Sequence, residues 1–176
     1  RVGTKGEQEI IIPRFGQINS FDFKSNGRLA VVSGTIKASS DIFLYNINRN
    51  TIRRLTNDSY DDMDARFIPN TNTVIFSSNR RNDSLFVSGP DNQEDVISNR
   101  YNLFTYDLDN TDSLLGKLTN NLASEVRPIP VSADLTYYLS DQQGVNNIYK
   151  HIIRDTVSSQ MSNYIYGLKT FDVSNG

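Results

Sequence analysis

Catalytic chemistry in this chain would depend on one histidine, because His151 is the only one among its 176 residues. A serine-hydrolase centre needs a serine, a base that takes its proton and an acid that orients the base. His151 lies in a predicted strand, and no Gly-x-Ser-x-Gly sequence of a nucleophile elbow is present. We therefore predict no catalytic residue in this chain, and we place His151 on the outer face of its strand.

Metal binding would depend on oxygen ligands, because the chain contains no cysteine. Residues 107–112 (Asp-Leu-Asp-Asn-Thr-Asp) are spaced loosely like a calcium loop, but they lack its central glycine and distal glutamate. Residues 91–95 (Asp-Asn-Gln-Glu-Asp) form a second acidic group. We interpret the first group as a hairpin turn and the second as a solvated loop, and we predict no metal and no cofactor.

The overall composition excludes several classes of protein. The net charge of −2 gives no basic surface for nucleic acid. No apolar stretch approaches the ~18 residues of a membrane-spanning helix. Nine Tyr and nine Phe favour strands and can fill a core. The chain begins at Arg1 without a visible signal peptide, so we expect it to be a mature or trimmed segment of a longer protein.

Any site in this chain must be positioned by a strand module that recurs along the sequence. Residues 64–80 contain a short strand, a tight turn, a buried strand and a polar exit, and weaker copies lie on both sides. Ser33 and Ser78 end equivalent strands and are 45 residues apart. A period of ~40–45 residues with four strands per copy is typical of a β-propeller blade.

These copies predict an all-β fold: a partial β-propeller with about three four-stranded blades plus flanking strands. An insertion at 81–100 interrupts the middle blade. Open strand edges at the ends would need further chain or a partner to cover them. We assign 1–17 to the end of a preceding blade, 18–56, 57–119 and 120–162 to three blades, and 163–176 to the start of a further blade.

The repeated motifs resemble those of a known family. Residues 76–80 read Phe-Ser-Ser-Asn-Arg, residues 41–43 read Asp-Ile-Phe, residues 147–149 read Asn-Ile-Tyr, and Leu-Thr occurs at 55–56 and 118–119. This pattern is similar to the blade repeat of the TolB-like propellers of the periplasmic Tol system. The resemblance implies a propeller that serves as an interaction platform in the periplasm or at the outer membrane, or as the substrate-gating domain of a serine peptidase.

The insertion is the first candidate for partner recognition, because long loops on rigid scaffolds often carry function. It contains Leu85, Phe86 and Val87, an apolar patch flanked by polar residues. We expect this patch to contact a protein partner or the remaining blades. The alternative is that it folds back onto its own blade.

The inner strands are the second candidate, because they line the channel of a propeller. Their charged side chains have mixed signs, which suits a peptide or another polar ligand, and equally a water-filled pore. The expected channel-lining residues are Asp62, Asp64, Arg66, Glu125 and Arg127.

The leading functional hypothesis is a non-catalytic, protein-binding scaffold in a bacterial envelope-associated assembly, periplasmic or at the outer membrane. Its partners would be other proteins or the remaining blades of the same polypeptide, with no nucleic acid and no membrane-spanning segment. Two alternatives remain open: the accessory propeller of a serine peptidase whose catalytic domain lies outside this chain, and a carbohydrate- or ion-binding module.

Overall fold

A computed structural model describes residues 15–36, 39–85, 98–109 and 114–174, and within them it contains three four-stranded antiparallel sheets and no helix. The strands of each sheet are consecutive in the chain, and neighbours in the sequence are neighbours in the sheet. The predicted all-β partial propeller with three blades is confirmed. Blade 1 contains β1 (Gln17–Phe23), β2 (Leu29–Thr35), β3 (Ser40–Asn46) and β4 (Thr51–Arg54); blade 2 contains β5 (Asp62–Phe67), β6 (Thr73–Ser78), β7 (Asn102–Asp107) and β8 (Gly116–Lys117); blade 3 contains β9 (Glu125–Pro130), β10 (Leu135–Ser140), β11 (Asn147–Ile152) and β12 (Val157–Gln160).

Blade 2 is covered on both faces, which explains why β6 is a nearly continuous apolar run. Val74 and Phe76 point towards blade 1, where they share a buried cluster with Val31. Ile75 lies between them in sequence and points the other way, into a cluster with Tyr138 of blade 3. Successive side chains of a strand face opposite sides, so one strand contributes to two blade interfaces. Each fully buried side chain of this size contributes about 1.5–3 kcal/mol.

The Leu-Thr motif closes blades 1 and 2 with the same hydrogen bond. Thr56 Oγ1 accepts from the backbone N–H of Ile42 at 2.9 Å, and Thr119 Oγ1 accepts from that of Leu103 at 2.9 Å. In blade 3 the hydroxyl of Ser162 has the same role, at 2.8 Å from the Ile148 nitrogen. The motif therefore ties the chain that leaves the fourth strand to the third strand of its own blade.

The polar residue that begins the third strand makes a second repeated contact. Asn102 Oδ1 accepts from the backbone N–H of Asn121 at 2.9 Å, and Asn147 Oδ1 accepts from that of Tyr164 at 2.6 Å. In both blades the donor lies two residues beyond the closing hydroxyl. These bonds position the connection to the next blade, so the motif residues are mainly structural.

The flanking regions add no further strand to the described part of the chain. Residues 163–174 form turns and irregular structure, and residues 1–14 of the segment assigned to a preceding blade lie outside the described residues. The assignment of these two regions to neighbouring blades stays a prediction. No helix in the described part of the chain has the length and hydropathy of a membrane span.

Candidate functional site

The inner strands β1, β5 and β9 lie side by side and leave one face open. β5 contacts both β1 and β9. A cleft of about 530 Å³ runs along this face, and a second of about 540 Å³ shares Asp22 and Phe23 with it. We call this face the inner-strand surface, defined by Phe21, Asp22, Phe23, Asp64, Arg66 and Arg127.

Each inner strand is interrupted by a β-bulge opposite the second strand of its blade. In β5 and β9 the bulged residues are Asp64 and Arg127, with φ of 57° and 55°. This left-handed conformation is tolerated by Asp but is unusual for Arg, and it costs on the order of 1 kcal/mol or more. Bulges re-aim side chains and are enriched beside functional sites. No feature of the sequence predicted them.

The two bulges are bonded to each other across the boundary between blades 2 and 3. The backbone N–H of Arg127 donates to a carboxylate oxygen of Asp64 at 3.1 Å. This bond holds the Arg127 backbone while its side chain remains exposed. Among the described residues, the Arg127 guanidinium belongs to no ion pair.

Similar bonds join blades 1 and 2 on the same face. Asp22 accepts from the backbone N–H of Phe67 at 2.9 Å, and Arg66 Nη1 donates to the Phe21 carbonyl at 3.1 Å. Arg66 also lies 3.9 Å from Asp22, but both side chains are partly exposed and such a pair contributes little stability. Asp22 and Arg66 are thus held in place mainly by backbone partners.

Two aromatic rings stand on this surface beside the charges. Phe21 and Phe23 are 58% and 54% exposed, and their rings meet edge to face at 5.8 Å. Exposed aromatic side chains next to arginines are typical of the residues that dominate protein–protein binding energy. The sequence predicted Asp64, Arg66 and Arg127 on this face, but it did not point to Asp22 or to the two phenylalanines.

Asp64, Arg66 and Arg127 therefore lie on the open face of the inner strands, and their contact with a ligand stays a prediction. For Asp62 and Glu125 the channel prediction is wrong, because both side chains are fully buried. Each begins its inner strand, opposite a serine that ends the second strand: Asp62 pairs with Ser78 and Glu125 with Ser140. At this position in the strand the side chain points into the interior of the blade.

Asp62 belongs to a buried ionic cluster with Arg80 and Asp58. Arg80 Nη2 lies 2.7 Å from Asp62 Oδ2 and 2.9 Å from Asp58 Oδ2, and all three side chains are inaccessible to solvent. The guanidinium also lies over the ring of Tyr60 at 5.1 Å. Asp58 and Tyr60 belong to the segment that joins blade 1 to blade 2, so Arg80 attaches that segment to blade 2.

The cluster contains two carboxylates and one cation. Burial raises the pKa of Asp62 to about 6, against the opposing charge of Arg80 and with a further contribution from Asp58. Folding therefore favours proton uptake by this cluster.

Glu125 has different partners at the equivalent position of blade 3. Its Oε1 accepts from Asn121 Nδ2 at 2.6 Å. Burial raises the pKa of Glu125. It also raises the pKa of the neighbouring Tyr138 phenol, further aided by the negative charge of Glu125. The residue that corresponds to Arg80 is Gln142, which is exposed.

The predicted partner-contact patch is corrected for Leu85. This side chain is half-buried and packs against the cluster between blades 1 and 2, so it folds back onto its own blade. The apolar character of Leu85 is explained by this packing. Phe86 and Val87 lie outside the described residues.

The outer-face prediction for His151 is wrong. Its side chain is 1% exposed, and Nδ1 lies 2.9 Å from Ser158 Oγ. His151 shares a strand face with Tyr149, two residues earlier, which packs against blade 2. Burial lowers the pKa of this imidazole. No group of three His, Cys, Asp or Glu side chains that could hold a metal ion occurs in the part of the chain that the structure describes.

Comparison with known proteins identifies a β-propeller fold. A solved structure of a putative TolB from Agrobacterium tumefaciens matches with a TM-score of 0.62 at 13% identity, over 79% of this chain and 47% of that one. The tricorn protease matches with a TM-score of 0.60 at 13% identity, over 81% of this chain and 18% of that one. At such identities the likeness shows the fold alone. No protein-family model matches the chain.

A sequence relative connects the chain to TolB. Over 77 residues it is 36% identical to the Tol-Pal system protein TolB of Helicobacter hepaticus, an alignment that covers 44% of this chain and 18% of that protein. With the blade motifs described above, this match confirms that the chain carries a TolB-like β-propeller repeat. The chain spans less than half the length of the relatives it matches.

Proposed function

We propose that this chain is a non-catalytic, protein-binding part of a TolB-like propeller, acting in an envelope-associated assembly in the periplasm or at the outer membrane. The observation that carries this proposal is the inner-strand surface. It combines two exposed phenylalanines with charged side chains along two clefts that share Asp22 and Phe23.

The geometry of this surface favours recognition of a polypeptide. Phe21 and Phe23 offer rigid apolar contact area that loses little entropy on binding. The exposed Arg127 guanidinium has its donors available for a carboxylate of the partner. The bulge and its bond to Asp64 fix the backbone from which Arg127 projects.

The comparisons support the placing of this function in the cell envelope. The relative from Helicobacter hepaticus is a Tol-Pal system protein, and we extend that setting to this chain. The tricorn protease shares the fold, so the fold by itself does not select between a scaffold and the accessory propeller of a peptidase. The inner-strand surface would have to be tested directly.

A photo-crosslinking experiment tests the proposal. A photoreactive phenylalanine analogue would replace Phe21 in the source organism, and adducts would be identified by mass spectrometry. We expect a specific protein adduct that is lost when Arg127→Glu is added. The same analogue at Ile165, which is 84% exposed and lines neither cleft of this surface, is the matched control.

Two outcomes would contradict the proposal. One is an adduct at Phe21 that Arg127→Glu leaves unchanged, and the other is an adduct pattern identical to that of Ile165. Mass spectrometry of the intact source protein would separate the peptidase alternative, because it would reveal a catalytic domain on the same polypeptide.

A further inference from the structure

A third cleft, of about 630 Å³, lies at one end of blade 2. It shares no lining residue with the inner-strand surface. Four basic side chains and several amides line it, and one of the four, Arg80, is already paired with Asp58 and Asp62. We call it the basic cleft, and its members used here are Arg81, Arg100, Lys117, Asn99, Asn102 and Asn120.

Antiparallel topology brings these residues together. In the sheet of blade 2, the last residues of β6 and β8 and the first residue of β7 lie at the same end of the strands. Arg81 lies just beyond β6, Arg100 lies just before β7, and Lys117 ends β8. Residues that are far apart in sequence thus lie close together at this end of the blade.

The basic side chains keep most of their hydrogen-bond donors available. Lys117 Nζ donates to the Arg81 carbonyl at 3.2 Å and to Asn120 Oδ1 at 2.8 Å, which leaves one of its three N–H groups. Arg100 Nη1 donates to the Leu122 carbonyl. The guanidinium of Arg81 has no hydrogen bond or ion pair within the described residues.

Among the residues that the structure describes, no carboxylate lines this cleft. Of its four cations, Arg80 is paired with Asp58 and Asp62, whereas Arg81, Arg100 and Lys117 form no ion pair with any residue that the structure describes. The acids bonded to its lining residues are Asp58 and Asp62, on Arg80, and Glu125, on Asn121, and the side chains of all three are buried beneath the surface. The chain as a whole carries 20 acidic and 18 basic residues, so this local excess of positive charge is not a general property of its surface.

We propose that the basic cleft binds an oxyanion group, a phosphate, sulfate or carboxylate, carried by a small polar molecule. Guanidinium groups bind such oxygens through paired N–H donors, and a nearby ammonium adds a point charge. The asparagine amides can bond hydroxyl groups of the attached molecule. The cleft is also larger than a single phosphate requires. This inference does not depend on the proposed protein-binding role.

Titration of the purified protein with defined anions tests the proposal. The probes are sodium phosphate, sodium sulfate, sodium acetate and glucose 6-phosphate, with glucose as the uncharged control, each followed by calorimetry and by amide NMR shifts. We expect saturable binding of glucose 6-phosphate and of at least one simple anion, with shifts at Arg100, Asn102 and Asn120, and none with glucose. Raising NaCl from ~50 to ~500 mM should weaken binding several-fold, because the site is accessible to solvent.

Variants locate the binding. Arg81→Ala with Arg100→Ala should raise the Kd about tenfold or more. Asn99→Asp, which places a negative charge at the exposed rim, should have the same direction of effect without removing any cation. Arg154→Ala is the control, because Arg154 is an exposed arginine in the β11–β12 hairpin of blade 3.

The absence of saturable shifts with every anion at about 10 mM, a concentration that would reveal even millimolar affinity, would overturn the proposal. Equal affinity of the wild type and the Arg81→Ala, Arg100→Ala protein would overturn it too, since the anion would then bind elsewhere. Circular dichroism of each variant verifies that a loss of binding is not a loss of fold.

Discussion

Blades 2 and 3 bury a carboxylate at the same register and stabilise it differently. Asp62 and Glu125 both begin an inner strand opposite a serine. Two residues after that serine, Arg80 is buried against Asp62, whereas Gln142 is exposed and Glu125 is bonded to Asn121. The backbone turn is the same, because the N–H groups of Arg80 and Gln142 each donate to their serine hydroxyl at 3.3 Å.

This difference shows that the repeat specifies a buried polar group rather than an ion pair. In blade 2 the buried carboxylate belongs to a charged cluster of two acids and one arginine. In blade 3 the partners of the buried carboxylate are neutral. A buried ion pair repays the loss of hydration only when its geometry and hydrogen bonds are good, whereas removing one member leaves an uncompensated charge. Blade 2 should therefore be more sensitive to substitution here than blade 3.

The largest effect should come from Arg80→Ala. It would leave Asp58 and Asp62 buried without their cation, and we expect the free energy of unfolding to fall by about 3–5 kcal/mol. Urea denaturation at pH 7 measures this change, with Arg154→Ala as an exposed arginine control. A loss below about 1 kcal/mol, the size expected of an exposed pair, would contradict the assigned burial of the cluster.

The next effect is a dependence of stability on pH. The pKa of Asp62 is about 6 in the folded protein, whereas the ordinary pKa of an aspartate is 3.8. The folded state therefore holds a proton that the unfolded state has lost between these values, so this group's contribution to stability is greatest below pH 4 and is lost as the pH rises to about 6. The change is on the order of 2–3 kcal/mol.

Comparison of the wild type with Asp58→Asn isolates the contribution of Asp58 to this pH dependence. Removing the second carboxylate leaves one acid and one arginine, which should lower the pKa of Asp62 and flatten the difference between pH 4 and pH 6. Urea unfolding at both pH values provides the measurement. Parallel pH profiles for the two proteins would show that Asp58 does not act on Asp62.

A smaller effect should separate Asp62→Asn from Glu125→Gln. Asp62→Asn replaces one of the two carboxylates that contact the Arg80 guanidinium. It should destabilise the protein by about 1–3 kcal/mol, because a charged hydrogen bond is lost. Glu125→Gln keeps an acceptor for Asn121 and removes a charge that burial disfavours, so we expect a change of at most about 1 kcal/mol in either direction. Thermal unfolding of the two variants side by side decides the comparison, and equal losses would remove the distinction between the blades.

The smallest effect concerns the two bulges. Arg127→Gly should stabilise by about 0.5–1 kcal/mol at most, because glycine adopts the left-handed conformation without strain. Asp64→Gly should gain less or lose stability, because Asp tolerates this conformation and its carboxylate accepts from the Arg127 N–H. Differential scanning calorimetry of both variants would test the order, and a gain for Asp64→Gly that exceeds that for Arg127→Gly would contradict it.

The sequence by itself determined the architecture. Strand patterns, the 45-residue spacing of Ser33 and Ser78, and the Leu-Thr and Asp-Ile-Phe motifs were enough to predict three four-stranded blades. This succeeded because a blade is built from local antiparallel pairs, whose register depends on alternation and turns within one repeat. β6 ends at Ser78 and β7 begins at Asn102, and the insertion predicted at 81–100 lies between these two positions in the sequence.

Only the tertiary structure decided which polar side chains face outwards. Asp62, Glu125 and His151 were expected at accessible positions, and all three are buried. A β-bulge reverses the side-chain alternation of a strand, and the bulges at Asp64 and Arg127 leave no mark in a single sequence. Burial also depends on the neighbouring blade, whose face supplies the partners. The sequence of a strand therefore shows which side chains are polar. Packing between blades determines whether each of them faces solvent, a partner or the core.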